Sequence, residues 1–139
     1  MRKTALVLGL LATVAAWPMA HAALTAYKAN LSGAAEVPPV TSAGSGTAQV
    51  NVDAASKQVT WRVDYSGLKD VAAAHIHCGA AAGANAGVAV NFGTNVASPI
   101  QGSGTITDAQ LADLQGGKCY VNIHTAGNKG GELRGQLTP

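Results

Sequence analysis

Two short segments, residues 74–79 and 119–124, constrain the fold more than any other part of the sequence. Each alternates cysteine and apolar residues with histidines, a pattern typical of a β-strand. Because side chains two apart share one face of a strand, the histidines lie opposite the cysteines and apolar residues. We therefore expect the cysteines to face the core and the histidines the outer side. The cysteines are Cys78 and Cys119, and the histidines are His75, His77 and His124.

The positions of these residues also predict how the two segments pair. When two antiparallel strands pair, the residue numbers of every facing pair add up to the same total. The totals for Cys78 with Cys119 and for His75 with His124 differ by only two. If the cysteines face each other, the two histidines are therefore diagonal neighbours. A parallel pairing needs a constant difference, which these pairs lack. An antiparallel pairing brings the thiols together on one face and the imidazoles together on the other.

The first 22 residues have the pattern of a secretory signal peptide. Arg2 and Lys3 precede an apolar run that is too short for a membrane span, and Ala20-His21-Ala22 matches a small-x-small cleavage site. We expect a signal peptide at residues 1–22 and one domain at residues 23–139; an uncleaved anchor is the alternative.

Removal of those residues changes the charge of the protein. The full chain has nine Lys and Arg against seven Asp and Glu, and loss of Arg2 and Lys3 leaves a net charge of zero. Nucleic acid is therefore not an expected partner. Export implies a periplasmic or secreted location, where two cysteines usually form a disulfide.

The remaining sequence consists of short strand patterns separated by turns rich in Gly, Pro and Ser. Apolar and polar residues alternate at 47–52 and 59–65, which predicts a hairpin with one buried face, and Trp61 is the expected core anchor. Thr107 and Gln110 form a capping box at the start of one short helix over 107–114. With further strands expected at 24–31, 88–92, 100–106 and 132–137, the fold class is all-β, an antiparallel β-sandwich with one short helix.

Several motifs resemble the CHRD domain, a module named after chordin and found in many secreted bacterial proteins. They are His-Ile-His-Cys-Gly at 75–79, Tyr-Val-Asn-Ile-His-Thr at 120–125, Gly-Gly-Glu-Leu-Arg-Gly-Gln-Leu at 130–137, and an opening motif at 31–40. The resemblance covers residues 24–137. It implies a secreted module from a family in which most members have no assigned biochemical function.

A weaker resemblance is to copper/zinc superoxide dismutase, which implies a Greek-key sandwich. In that family a His-x-His strand and a later histidine hold copper. By this resemblance His75, His77 and His124 match copper ligands, and Arg134 matches an anion-attracting arginine. The sequence departs from the family because the mature chain has no fourth histidine and no recognisable zinc subsite.

Three imidazoles on one face suit a divalent metal, with copper favoured and zinc as the alternative. Neutral imidazole is the ligand form, so affinity is expected to fall as the pH drops through about 6.5. The alternative is that these are ordinary surface histidines.

The other candidate residues flank this cluster. Cys78 and Cys119 are expected to form a disulfide on the core face; the alternative is that they are soft copper ligands. Glu132 and Arg134 share one face of the last strand. Glu132 is a candidate to orient a ligand histidine and Arg134 to attract an anion, whereas a solvated ion pair is the alternative.

These observations predict an exported, periplasmic metal-binding protein that binds copper through three histidines, for copper handling or delivery. Two alternatives stay open at this stage. One is an adhesion or protein-interaction module without a metal, and the other is a copper-dependent enzyme similar to superoxide dismutase.

Overall fold

A computed structural model describes residues 23–139 of the chain; the predicted signal peptide at residues 1–22 lies outside them. Eight strands form two four-stranded antiparallel sheets that pack face to face, which confirms the predicted all-β sandwich. The Greek-key connectivity stays a prediction.

The first sheet contains β1, β2, β3 and β6 in that order, and the second contains β5, β4, β7 and β8. In chain order the elements are β1 (Leu24–Leu31), β2 (Ser45–Asp53), β3 (Gln58–Ser66), β4 (Val71–Cys78), β5 (Gly87–Asn91), β6 (Ile100–Thr105), α1 (Asp108–Gln115), β7 (Cys119–Thr125) and β8 (Leu133–Gln136), with a 3-10 turn at Gly33–Ala35.

The first sheet follows the alternation in the sequence closely. Along β2 and β3 the valines and Trp61 point into the sandwich, while threonine, glutamine and arginine point outward. Trp61 is 7% exposed and stacks on Phe92 with ring centroids 4.6 Å apart, as expected of a core anchor. Gly102 lies under this indole, where a Cβ atom would stand 2.5 Å from the tryptophan ring, so β6 needs a glycine there.

The short helix begins where its capping box predicts. The Thr107 hydroxyl accepts a hydrogen bond from the Gln110 amide, and the Gln110 side chain accepts one from the Thr107 amide. The helix links β6 in the first sheet to β7 in the second. No helix among residues 23–139 is long and apolar enough to cross a membrane.

The second sheet departs from a simple pattern of one buried and one solvated face. Six of the seven residues of β7 are buried, on both faces of the strand. The core covers one face, and the connections at residues 32–40 and 79–86 contribute to covering the other. The side expected to be the outer side is thus largely shielded from solvent.

A disulfide between Cys78 and Cys119 joins β4 to β7 at the position expected from their register. Cys119 is fully buried in the core. The bond takes up both cysteines, so the alternative of thiolate copper ligands does not apply to this structure.

Replacement of both cysteines by alanine should lower the stability of the oxidised protein. The crosslink spans 41 residues, which corresponds to about 4 kcal/mol in the chain-entropy model and to a fall in Tm on the order of 10–15 °C. Thermal unfolding followed by circular dichroism measures this. Reductant should lower the Tm of the wild type but leave that of the double variant unchanged; equal Tm values for the two oxidised proteins would contradict the crosslink.

Candidate metal centre

The three histidines lie on two adjacent strands. β4 and β7 pair antiparallel in one register from residue 73 to residue 78, with Cys78 opposite Cys119, His75 opposite Asn122 and His124 opposite Ala73. His75 and His124 are therefore diagonal neighbours, as predicted. All three imidazoles project from the face opposite the disulfide.

The rings converge closely enough to share one ion. One nitrogen from each histidine lies within 4.8 Å of the others. The closest pair is His75 Nδ1 and His124 Nε2, which are 3.0 Å apart and share a hydrogen bond. His77 is 8% exposed, while His75 and His124 are half-buried, so the cluster is reached from the side of the latter two.

Two of the rings are fixed by backbone carbonyls. His77 Nδ1 lies 2.8 Å from the carbonyl oxygen of Ala86, and His124 Nδ1 lies 2.9 Å from that of Lys129. Because a carbonyl only accepts, each Nδ1 must carry the proton and donate it, which leaves each Nε2 unprotonated; that of His124 accepts from His75. Metal-binding histidines typically make this contact with the nitrogen that does not bind the metal.

His77 Nε2 is the least satisfied polar atom of the cluster. It is buried and has no hydrogen-bond partner among residues 23–139. A buried acceptor without a partner costs about 1–3 kcal/mol, so the position favours a ligand that accepts this lone pair. A metal ion or a proton donor fulfils that requirement.

Tyr120 and Arg134 support His77 from one side. The His77 and Tyr120 rings are parallel within 2°, with centroids 4.9 Å apart, and the Arg134 guanidinium lies 3.5 Å from the Tyr120 centroid on a buried cation–π contact. Tyr120 Oη also accepts a hydrogen bond from the Ala86 amide, at 3.2 Å. Tyr120 therefore contacts both the ring of His77 and Ala86, whose carbonyl orients that ring.

Arg134 is 2% exposed and lies beneath the connection at residues 79–86. Its guanidinium donates to the Asn85 side chain at 2.9 Å and to the Ala84 carbonyl at 2.7 Å. These contacts hold that connection in place. The guanidinium was expected to attract anions, and the structure places it in this buried position.

The carboxylate of Glu132 organises a different loop. It accepts hydrogen bonds from Ser42 at 2.7 Å, Thr125 at 2.6 Å and Asn128 at 3.1 Å, which hold the pKa of Glu132 below its usual value. Within residues 23–139 these partners include no histidine. The backbone carbonyls make the direct contacts to the rings, and Glu132 stabilises the turn at 125–131 that supplies one of them.

Burial lowers the pKa of two of the three histidines, His75 and His124. Burial, followed by the proximity of His124 and His77, lowers the pKa of His75 to about 4. Burial also lowers the pKa of His124, although its hydrogen bond to Lys129 opposes this. His75 therefore becomes protonated at a lower pH than the expected value of about 6.5. Its neutral ring, the form that binds a metal, persists below that pH.

A family model for the CHRD domain matches residues 27–137, more than two thirds of the chain. The chain belongs to the CHRD family. It matches no curated protein and no solved structure at a significant level, so the resemblance to superoxide dismutase stays a prediction. CHRD domains are typically extracellular, and the disulfide is compatible with secretion.

This CHRD domain carries site features that no sequence pattern indicated. The carbonyls of Ala86 and Lys129 belong to glycine-rich connections, and a backbone acceptor has no signature in side-chain sequence. Tyr120 shares the face of His124, four residues along the same strand, but the sequence gives no sign of its stacking on His77. Glu36 belongs to the opening motif and is buried near Asn122 and Arg134.

The pKa of His75 predicts how the metal-free CHRD domain responds to acid. Between pH 6.5 and about 4 the unfolded chain binds a proton at this histidine and the folded protein does not, so the free energy of unfolding falls as the pH drops through that window. Urea unfolding at a series of pH values should show this fall, and His75→Gln should make it shallower while Lys57→Gln leaves it unchanged. An NMR titration of the His75 ring with a midpoint near pH 6.5 would contradict the account.

Proposed function

We propose that this CHRD domain binds one divalent transition metal, copper in preference to zinc, through His75, His77 and His124. The observation that carries the proposal is the convergence of one ring nitrogen from each histidine, together with the hydrogen bonds from Nδ1 to backbone carbonyls that fix the rings of His77 and His124. The proposed role is copper handling or delivery in the periplasm or outside the cell.

The spacing of the nitrogens supports a shared ion. Two nitrogens bound to one metal at about 2.05 Å, with an angle of 90–110° between them, lie roughly 2.9–3.4 Å apart. The 3.0 Å between His75 Nδ1 and His124 Nε2 falls in this range. All three nitrogens lie within 4.8 Å of one another, which exceeds this spacing, so metal binding requires the rings to approach one another by at most about 2 Å.

The tautomers impose one proton shift. His124 Nε2 is the acceptor of its pair with His75, so His75 Nδ1 carries the shared proton when no metal is bound. To bind through Nδ1, His75 must move this proton to its other nitrogen or release it. The Nε2 atoms of His77 and His124 carry no proton, so these two histidines bind a metal without a change of tautomer.

Copper is favoured over zinc because of the ligand set. An imidazole site without a selective geometry binds Cu(II) more tightly than Zn(II), in accordance with the Irving–Williams order. Three protein ligands leave a coordination position on the side where His75 and His124 are half-exposed. That position suits the transfer of the ion to and from another molecule.

Two other functions have less support. An interaction module without a metal fits membership in the CHRD family but gives no reason for the convergence of three histidines. A dismutase needs a cation that attracts the substrate anion, whereas Arg134 is 2% exposed and its guanidinium hydrogen-bonds to Ala84 and Asn85.

Isothermal titration with Cu(II) on the mature protein without a His-tag tests the proposal. We expect one equivalent to bind, and His77→Ala to weaken binding by more than the roughly 10- to 100-fold that loss of a hydrogen-bond partner of a metal ligand costs. Zn(II) should bind more weakly than Cu(II).

Lys57→Ala is the control, because Lys57 pairs with Asp108 at the helix and is not part of the cluster. It should bind copper like the wild type. If a variant with alanine at all three histidines retains wild-type affinity, the site is elsewhere and the interaction module becomes the better hypothesis.

A further inference from the structure

The four outermost strands of the two sheets differ in how their edges are covered. An open edge presents unpaired backbone N–H and C=O groups that can pair with another chain, and proteins usually cover or disrupt it. The edges of β1 and β8 lie against each other, because Lys28 pairs with Thr138 and Ser32 with Arg134 through backbone hydrogen bonds. These two edges are therefore closed within the molecule.

The edge of β5 is disrupted by a bulge. Its pairing with β4 shifts by one residue between Val90 and Val88, and Ala89 has no partner in the register. The Ala89 carbonyl accepts a hydrogen bond of 3.5 Å from the Gln110 side chain of α1. An irregular backbone of this kind is a poor template for another strand.

The edge of β6 is neither covered nor disrupted. β6 pairs with β3 in one register without a shift, and it pairs with no other strand of residues 23–139. The Ile106 amide donates to the carbonyl of Lys57, which faces it, so hydrogen-bonded pairs recur at every second residue from there. The backbone groups of the intervening residues, Gln101, Ser103 and Thr105, consequently point away from β3.

The side chains along this edge are uncharged. Gln101, Ser103 and Thr105 are exposed, and the residues between them are Gly102 and Gly104. No Asp, Glu, Lys or Arg occurs from residue 79 to residue 107. Charged side chains, particularly lysine, are a common means of keeping an edge strand from pairing with a copy of itself. β6 has no such residue.

We propose that β6 pairs antiparallel with β6 of a second copy of this chain, about a two-fold axis at Ser103. In this register Ser103 faces its own copy and Gln101 faces Thr105 of the partner subunit, because the residue numbers of every facing pair add up to the same total. Each outward N–H then meets an outward C=O. The pairing joins the first sheets of the two copies into one continuous sheet.

A second copy is the partner that fits because the edge is complementary to itself. A two-fold axis places identical residues near one another, so a charge at its centre would face the same charge. On the outer face the proposed pairing instead brings together the hydroxyl and amide side chains of Ser103, Gln101 and Thr105, which hydrogen-bond to one another. On the inner face Gly102 faces Gly104, and neither has a side chain that keeps the strands apart.

The length of β6 limits the strength of this contact. The strand spans Ile100–Thr105, and interfaces smaller than about 1,200 Å² are typical of weak, transient complexes. We therefore expect a dimer with a Kd on the order of 100 µM. The histidine cluster lies on the second sheet, so the proposal requires no metal.

Sedimentation equilibrium of metal-free protein, produced as residues 23–139, tests the proposal at concentrations from about 10 µM to about 1 mM. We expect a reversible monomer–dimer equilibrium, with slower hydrogen exchange of the Gln101, Ser103 and Thr105 amides as the concentration rises. A monomer at every concentration overturns the proposal and leaves the edge to an extended segment of another protein. A dimer in which these amides gain no protection has a different interface and overturns it as well.

Charge substitutions at Ser103 test the register. Ser103→Lys and Ser103→Glu each place like charges opposite each other and should raise the dimer Kd by about fivefold or more, whereas an equimolar mixture of the two should associate more tightly than either alone. Thr47→Lys is the control, because Thr47 is exposed on β2, two strands from the edge, and it should dimerise like the wild type. Equal Kd values for the wild type, Ser103→Lys and the mixture overturn the proposal.

Discussion

The pairing of β4 with β7 in a single register is the constraint on which the rest of the structure depends. It brings Cys78 opposite Cys119 on the core face and sets His75 diagonal to His124 on the other face. A slip of one residue would move the cysteines out of the core and turn the histidines inward. The disulfide excludes that slip, and so it also fixes the positions of the imidazoles.

The loops over this sheet convert a row of histidines into a defined site. An open sheet face would leave the rings in water, free to rotate and with ordinary pKa values. Here the connection at residues 79–86 and the turn at 125–131 supply one carbonyl each to His77 and His124. Arg134, stacked on Tyr120, holds the first connection, and Glu132 holds the second. The same cover excludes water, which lowers the pKa of His75 to about 4.

Much of this arrangement was predictable from the sequence, because it depends on which residues of a strand lie an even number of positions apart and so share a face. Alternation along a strand assigns each residue to a face, and the position sums of Cys78/Cys119 and His75/His124 determined the pairing. The capping box predicted the start of the helix at Thr107. The burial of β7 on both faces was not predictable, because Gly79 to Gly87 contains only glycine, alanine and one asparagine. Such a segment makes its contacts through backbone atoms, and the burial of Glu36 and Arg134 likewise depends on loops that have no periodic pattern.

The most direct test of the account is electron paramagnetic resonance of the Cu(II)-loaded protein, produced as residues 23–139 and labelled with ¹⁵N-histidine. The account predicts coupling of one copper ion to three histidine nitrogens, and coupling to two when His77 is replaced by glutamine. A spectrum that shows no coupling to labelled histidine, or that is the same in the wild type and in the variant, would contradict the claim that these two strands build a metal site.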